Sequence, residues 1–312
     1  MMTKISCIVP CYNEEASLPF FYDAIVAVMA QMEQEYGVEF EVIYVNDGSC
    51  DDTLGVMRML KEKDTRMRYI SFSRNFGKEA AMYAGMEAAV GDYVVVMDAD
   101  LQHPPENLRV MYDIVKTKEY DCAAYRRVSR QGEPQIRSFF ARMFYKLINR
   151  ISDTEIVDGA TDYRMMSRPM VDAILSMKEY NRFSKGIFSW VGFRTKWLEY
   201  VNVERVAGET KWSFWSLLMY SFEGIIGFST APLALASFGG AFFCIISFLW
   251  LISIVIKTAI WGDPVAGFPT LACMMLLLGG IQLLCIGILG QYLAKMYLEV
   301  KNRPIYIIEE RG

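Results

Sequence analysis

Tyr93-Val-Val-Val-Met-Asp-Ala-Asp100 is an apolar run that stops abruptly at two carboxylates one residue apart. Its three consecutive valines favour extended backbone, and the absence of polar alternation fits a strand covered on both faces. Similar short runs lie on either side: Ile5 to Val9, Glu41 to Val45, Arg68 to Phe72 and Cys122 to Tyr125, with helical patterns between them. From Lys4 to about Tyr125 this alternation predicts an α/β fold with a mostly parallel sheet. Ligands of such sheets collect beyond the carboxyl ends of the strands. Polar clusters follow most of these runs: Pro10-Cys-Tyr-Asn-Glu-Glu15, Asn46-Asp-Gly-Ser-Cys-Asp-Asp52, Ser73-Arg-Asn-Phe-Gly-Lys78 and Asp98-Ala-Asp-Leu-Gln-His103.

Taken singly, each cluster also has a structural reading, since Asn13, Asp51 or Asp52 suits a helix cap and Asp47-Gly48 a tight turn. Asp98 and Asp100 differ because they place two like charges near one point at a strand terminus, where they repel unless compensated. A hard cation held through oxygen relieves that repulsion and can bridge a diphosphate, which implies Mg²⁺ or Mn²⁺. Such an ion stabilises charge on a departing diphosphate. His103 is the chain's single histidine, so any histidine-dependent nucleophile would have to use it; packing beside the carboxylates is the alternative.

The chain of 312 residues is 53% hydrophobic, an excess for a soluble domain that is concentrated in its last quarter. No charged residue lies between Glu223 and Lys257, nor between Asp263 and Lys295. Each stretch exceeds the roughly 20 residues needed to cross about 30 Å of hydrocarbon. Transmembrane helices are expected at 231–256 and 268–294; buried soluble helices are the other reading. The connector from Lys257 to Gly267 holds one Lys and one Asp, whereas Arg205, Lys211, Lys295, Lys301 and Arg303 flank the outer ends. Positive residues favour the cytoplasmic side, so both termini are expected there.

A net charge of −4 gives no general basic field, which argues against nucleic acid as a partner. The seven cysteines contain no CxxC pair, against a zinc site or disulfide framework. Two further segments read as amphipathic. At 136–151 the apolar residues Ile136, Phe139, Phe140, Met143, Phe144, Leu147, Ile148 and Ile151 share a stripe, with Arg137, Arg142, Lys146 and Arg150 largely elsewhere. That suits an anionic membrane surface or, alternatively, an ordinary core. Trp212, Trp215, Met219 and Phe222 form a second stripe just before the first span.

Pro10-Cys-Tyr-Asn-Glu-Glu15, Val45-Asn-Asp-Gly-Ser49, Arg74-Asn-Phe-Gly-Lys-Glu79 and Met97-Asp-Ala-Asp-Leu-Gln102 together resemble glycosyltransferase family 2, with its GT-A nucleotide-sugar fold. Asp162-Tyr-Arg-Met-Met-Ser167, Arg182-Phe-Ser-Lys-Gly186 and Glu204-Arg-Val-Ala-Gly-Glu-Thr-Lys-Trp212 resemble its bacterial polyprenyl-phosphate (bactoprenol) branch, more distantly related to dolichyl-phosphate mannose synthases. The resemblance implies a cytoplasmic catalytic domain at 1–200, a juxtamembrane acceptor-phosphate and interface segment at 201–230, the two spans, and a cytoplasmic tail at 295–312. It places the protein in the plasma (inner) membrane of a bacterium, with self-association as a homo-oligomer left open.

By the same resemblance Pro10, Tyr12, Glu14, Asp47, Lys78 and Asp98 would bind the nucleotide, with Asp47 reading the base. Asp98, Asp100 and Gln102 would hold metal and diphosphate, and Arg126 would reach phosphate. Asp162 matches the carboxylate assigned as base, and Arg205 and Lys211 match positions near the acceptor phosphate. A lipid phosphate at headgroup depth does need nearby cations, although Arg205 and Lys211 also read simply as positive-inside residues. A phosphate with its second pKa near 6 hardly needs deprotonating at neutral pH, so Asp162 reads equally as an orienting group. The implied reaction is an inverting transfer from a UDP-sugar, of glucose or N-acetylhexosamine type, to undecaprenyl phosphate. Rival readings are a processive polysaccharide synthase, disfavoured by the lack of a Gln-x-x-Arg-Trp motif, and a non-catalytic nucleotide-binding membrane scaffold.

Overall fold

The computed structural model describes residues 2–127, 149, 157–200, 229, 231–261 and 267–312. The chain runs β1 (Lys4–Cys11), α1 (Leu18–Tyr36), β2 (Glu39–Asn46), α2 (Thr53–Lys63), β3 (Met67–Phe72), α3 (Lys78–Ala88), β4 (Tyr93–Val96), α4 (Asn107–Val115) and β5 (Cys122–Arg127). It continues through β6 (Ala160–Ser167), α5 (Arg168–Ser176), α6 (Ser184–Trp190), β7 (Thr195–Tyr200), α7 (Ala231–Trp261), α8 (Phe268–Val300) and β8 (Ile308–Arg311). The eight strands form one sheet in the order β7-β5-β6-β4-β1-β2-β3-β8. β1 pairs in parallel with β2 and β4, and β2 with β3. β6 runs antiparallel between β4 and β5, and β8 antiparallel along β3. The result is a mostly parallel mixed sheet, as the sequence pattern predicts.

The unbroken apolar runs follow from burial on both faces. In β1, Ile5, Cys7 and Val9 enter the core under α1, α2 and α4, while Ile8 enters the second core under α3, α5 and α6. In β4, Val95 faces the first core and Val94 and Val96 the second. Side chains alternate across a strand, so a strand sandwiched between helices needs apolar residues at every position. α1 meets the sheet through Leu18, Phe21, Tyr22, Ile25, Val28, Met29 and Met32, a helical stripe. It ends at Gly37, whose φ of 63° is left-handed and whose N–H returns to the Glu33 carbonyl. α3 packs close with Ala80, Ala81, Ala84 and Gly85; a Cβ on Gly85 would lie 2.2 Å from Ile8 Cγ2.

Three strands escape the sequence pattern. β6 and β7 carry mixed polar and apolar residues, and β8 lies in the segment expected to be a tail. Tyr69 and Arg58 bond Glu310, tying β8 to its neighbours. An open β3 edge would leave backbone groups unpaired, and four residues beyond α8 cover it.

α7 and α8 are two helices long and apolar enough to cross a membrane. They extend past the expected spans to Trp261 and Val300. Large apolar side chains point outward, with Phe238 76% and Leu283 72% exposed, a surface that suits lipid better than water. The amphipathic segment at 136–151, Asn149 apart, and the stripe from Trp212 to Phe222 lie outside the described residues.

At the amino ends of the strands, Glu41 is a buried carboxylate. It accepts the Ser6 hydroxyl at 2.5 Å, the Val90 N–H at 2.9 Å and Arg68 Nη1 at 2.7 Å. Burial pushes its pKa up, but these donors and Lys4 outweigh it and the net direction is down from 4.5. The stabilisation is therefore present above the unfolded value and lost as pH falls through the folded one. Glu41→Ala should cost about 2–3 kcal/mol at neutral pH, since it leaves buried partners unsatisfied. Thermal melts should show the gap from wild type narrowing between pH 7 and pH 4; a gap independent of pH would contradict this account.

Candidate active site

The carboxyl ends of β1 to β4 deliver their loops to one rim. The first two are laced together: Asn13 N–H donates to Ser49 Oγ at 3.0 Å, Cys50 N–H to Asn13 Oδ1 at 2.8 Å, and Glu14 N–H to Thr53 Oγ1 at 2.9 Å. Pro10 closes this end of β1 opposite Val45, and Tyr12 beyond it is 37% exposed. Glu14 accepts the Ser17 hydroxyl.

Asp47, buried at the end of β2, reaches across to the third loop. Its carboxylate accepts Phe76 N–H at 2.7 Å and Gly77 N–H at 3.0 Å. Burial raises its pKa, and these amides with Arg74 pull it partly back. Gly48 lets the loops touch, because a Cβ there would stand 2.3 Å from the Arg74 carbonyl carbon and its φ is +63°. Asp47 thus fixes Gly77, the N-cap of α3, and so the start of the helix that carries Lys78.

Lys78 is the centre of the cluster. Its Nζ lies 2.6 Å from Asp98 Oδ1 and 2.9 Å from Asp162 Oδ2. The strand register explains the meeting: the β4–β6 ladder ends with Val96 opposite Arg164, and Asp98 and Asp162 stand two residues beyond. Burial opposes charge on both Lys78 and Asp162, but their mutual attraction prevails. Lys78 is held above the usual lysine range and Asp162 below the usual carboxylate range, the latter aided by Lys185 and Arg164.

Asp100 accepts Gln102 N–H at 3.1 Å on a turn where Leu101 has φ 57°. His103 is buried with its ring 5.1 Å from Tyr163, and burial lowers its pKa despite the nearby Asp98 and Asp100 charges. Among the described residues no group of three His, Cys, Asp or Glu side chains comes together. Asp98 and Asp100 are the carboxylates here that could lend oxygens to a divalent ion completed by substrate phosphate and water, and Asp98 also faces the Lys78 ammonium. The donors are too few for a closed protein cage.

Several of these neighbours are not singled out by the sequence. Glu79, next to Lys78, accepts Ser184 N–H at 3.1 Å and the Ser184 hydroxyl. Burial and the Asp162 charge raise its pKa to about 6. Arg164 is buried, its guanidinium 3.7 Å over the Phe188 ring, and Arg182 lies 4.5 Å over Tyr83. The motifs were visible, but partners about a hundred residues apart carry no local signal of contact. Arg126, opposite Ala160 of β6, forms an ion pair with Glu199 of β7 at 2.5 Å. Arg205 and Lys211 lie outside the described residues.

Lys78→Met should leave Asp98 and Asp162 facing each other without a counter-charge. Asp162 adds stability above its unfolded pKa in the wild type, while in the variant burial and Asp98 reverse that sign. The variant should lose about 1 kcal/mol at pH 7, Lys78 being partly exposed, and approach wild type in thermal melts at pH 4. A constant difference would refute the electrostatic role.

The family model for glycosyl transferase family 2 matches residues 6–175. The SfII prophage-derived bactoprenol glucosyl transferase of Shigella flexneri is 41% identical over 307 residues, covering 98% of each chain. The prophage bactoprenol glucosyl transferase homolog of Escherichia coli (strain K12) is 39% identical over 306 residues, again covering 98% of each chain. Mannosyl-3-phosphoglycerate synthase from Rubrobacter xylanophilus aligns over 72% of each chain with 16% identity and a TM-score of 0.48. A family match over more than half the chain and relatives this similar along nearly all of it make this protein a member of glycosyl transferase family 2.

Proposed function

We propose that this transferase moves a sugar, of glucose or N-acetylhexosamine type, from a UDP-sugar to a polyprenyl phosphate such as undecaprenyl phosphate, with inversion, at the cytoplasmic face of the plasma membrane. The observation that carries the reading is the Lys78–Asp98–Asp162 cluster on the rim of the sheet, in a chain that also bears two span-length apolar helices. The bactoprenol glucosyl transferase names of the relatives support the acceptor and the sugar.

In this reading Tyr12 offers a partly exposed ring to the base, and Pro10, Glu14 and Asp47 shape the wall behind it. Asp98, Asp100 and Gln102 would hold Mg²⁺ or Mn²⁺, which when bound supplies positive charge against the leaving diphosphate. Lys78 faces the same region from the other side of Asp98 and offers a fixed cation for developing negative charge. The acceptor phosphate is already anionic at neutral pH, so Asp162, held ionised by Lys78, orients the reacting groups. Arg126, Arg205 and Lys211 are proposed as phosphate contacts.

The test is transfer of label from UDP-[¹⁴C]glucose or UDP-N-acetyl[¹⁴C]glucosamine to undecaprenyl phosphate by purified protein. We expect an organic-extractable sugar phosphate that requires a divalent ion and falls about 10²–10³-fold in Asp162→Asn. Full labelling by the Asp98→Asn/Asp100→Asn double variant would remove the metal assignment. A high-molecular-weight product would indicate a processive synthase, and binding without turnover a scaffold.

A further inference from the structure

Away from the sugar-transfer cluster, a cavity of about 550 Å³ opens between α3, the segment after α5 and the chain beyond α8. Lys178, Arg303 and Arg311 line it, together with Tyr83, Tyr306 and Glu87. None of the three cations forms an ion pair among the described residues. Glu87, the carboxylate of the lining, accepts the Tyr306 phenol, and the lining carries three positive charges against one negative. Three cations around one concavity repel one another, and an anion between them turns that repulsion into attraction. The guanidinium forks of Arg303 and Arg311 suit phosphate oxygens.

The walls are built into the fold. Tyr306 stacks on Phe72 with ring centroids 4.9 Å apart, and β8 pairs Arg311 with Ile70. Past Val300 the chain turns at Asn302, with φ 47°, which brings Arg303 to the cavity. Tyr180 N–H donates to the Glu299 carboxylate at 3.0 Å, holding the Lys178 segment against the end of α8. We propose that this cavity is a second anion site, binding a phosphate-bearing ligand independently of the sugar-transfer cluster. Its place beside the end of an apolar helix makes an anionic phospholipid headgroup the first source; that source rests on α8 crossing the membrane, whereas phosphate binding itself does not.

Full-length protein in detergent tests both sources. In the lipid arm, native mass spectrometry follows retention of phosphatidylglycerol against phosphatidylcholine, supplied in equal amounts. Wild type should prefer phosphatidylglycerol roughly tenfold, Lys178→Gln/Arg303→Gln should lose the preference, and Lys178→Arg/Arg303→Lys should keep it. In the second arm, inorganic phosphate should raise the melting temperature of wild type but not of Lys178→Gln/Arg303→Gln. A phosphate shift without lipid preference assigns the site to soluble phosphates. If the double variant melts early without ligand, Arg311→Gln, at the third cation of the lining, provides the comparison. Charge-removed variants that match wild type in both arms overturn the proposal, whatever the sugar-transfer assay shows.

Discussion

The Lys78 ammonium between Asp98 and Asp162 is the interaction on which the site depends. Two strands that run in opposite directions, β4 and β6, bring their carboxylates within reach of one cation. Without that cation, burial and mutual repulsion would both act against two ionised groups at the same rim. With it, the Asp162 carboxyl is held below the usual carboxylate range. Glu79, the next residue along, sits in the same buried environment without such a partner, and its pKa goes the other way.

Holding Lys78 in place requires the loops around it to be rigid. Asp47 does this by accepting the backbone amides of Phe76 and Gly77, so the helix carrying Lys78 begins at a fixed point. Gly48 permits the approach, and Asn13 binds the first loop to the second. The polar clusters therefore hold one another in place at the rim. For Asn13 and Asp47 the structure shows bonds from loop to loop, where the sequence suggests a helix cap and a tight turn.

The apolar helices and the sheet are joined at a different place. Beyond α8 the chain turns, stacks Tyr306 on Phe72 and adds β8 to the open edge of β3. This both protects the edge and fixes the end of α8 relative to the catalytic sheet, through contacts that include Glu299 and the segment leading to Ser184. The Lys178, Arg303 and Arg311 cavity lies at that junction.

By itself the sequence determined the α/β class, the five strands from β1 to β5, the two long apolar helices and the rim on which the polar clusters gather. Those features rest on local periodicity and on uninterrupted hydrophobicity, which a strand buried on both faces or a span-length helix must display along its own length. Only the tertiary structure decided that β6 inserts antiparallel beside β4, that the last residues close the sheet as β8, and that Lys78 joins Asp98 to Asp162. Likewise Glu79 meets Ser184, and Arg164 lies over Phe188, only when distant segments pack. The reason is that each such contact pairs residues from separate parts of the chain, so neither partner's neighbours carry a periodic trace of the other.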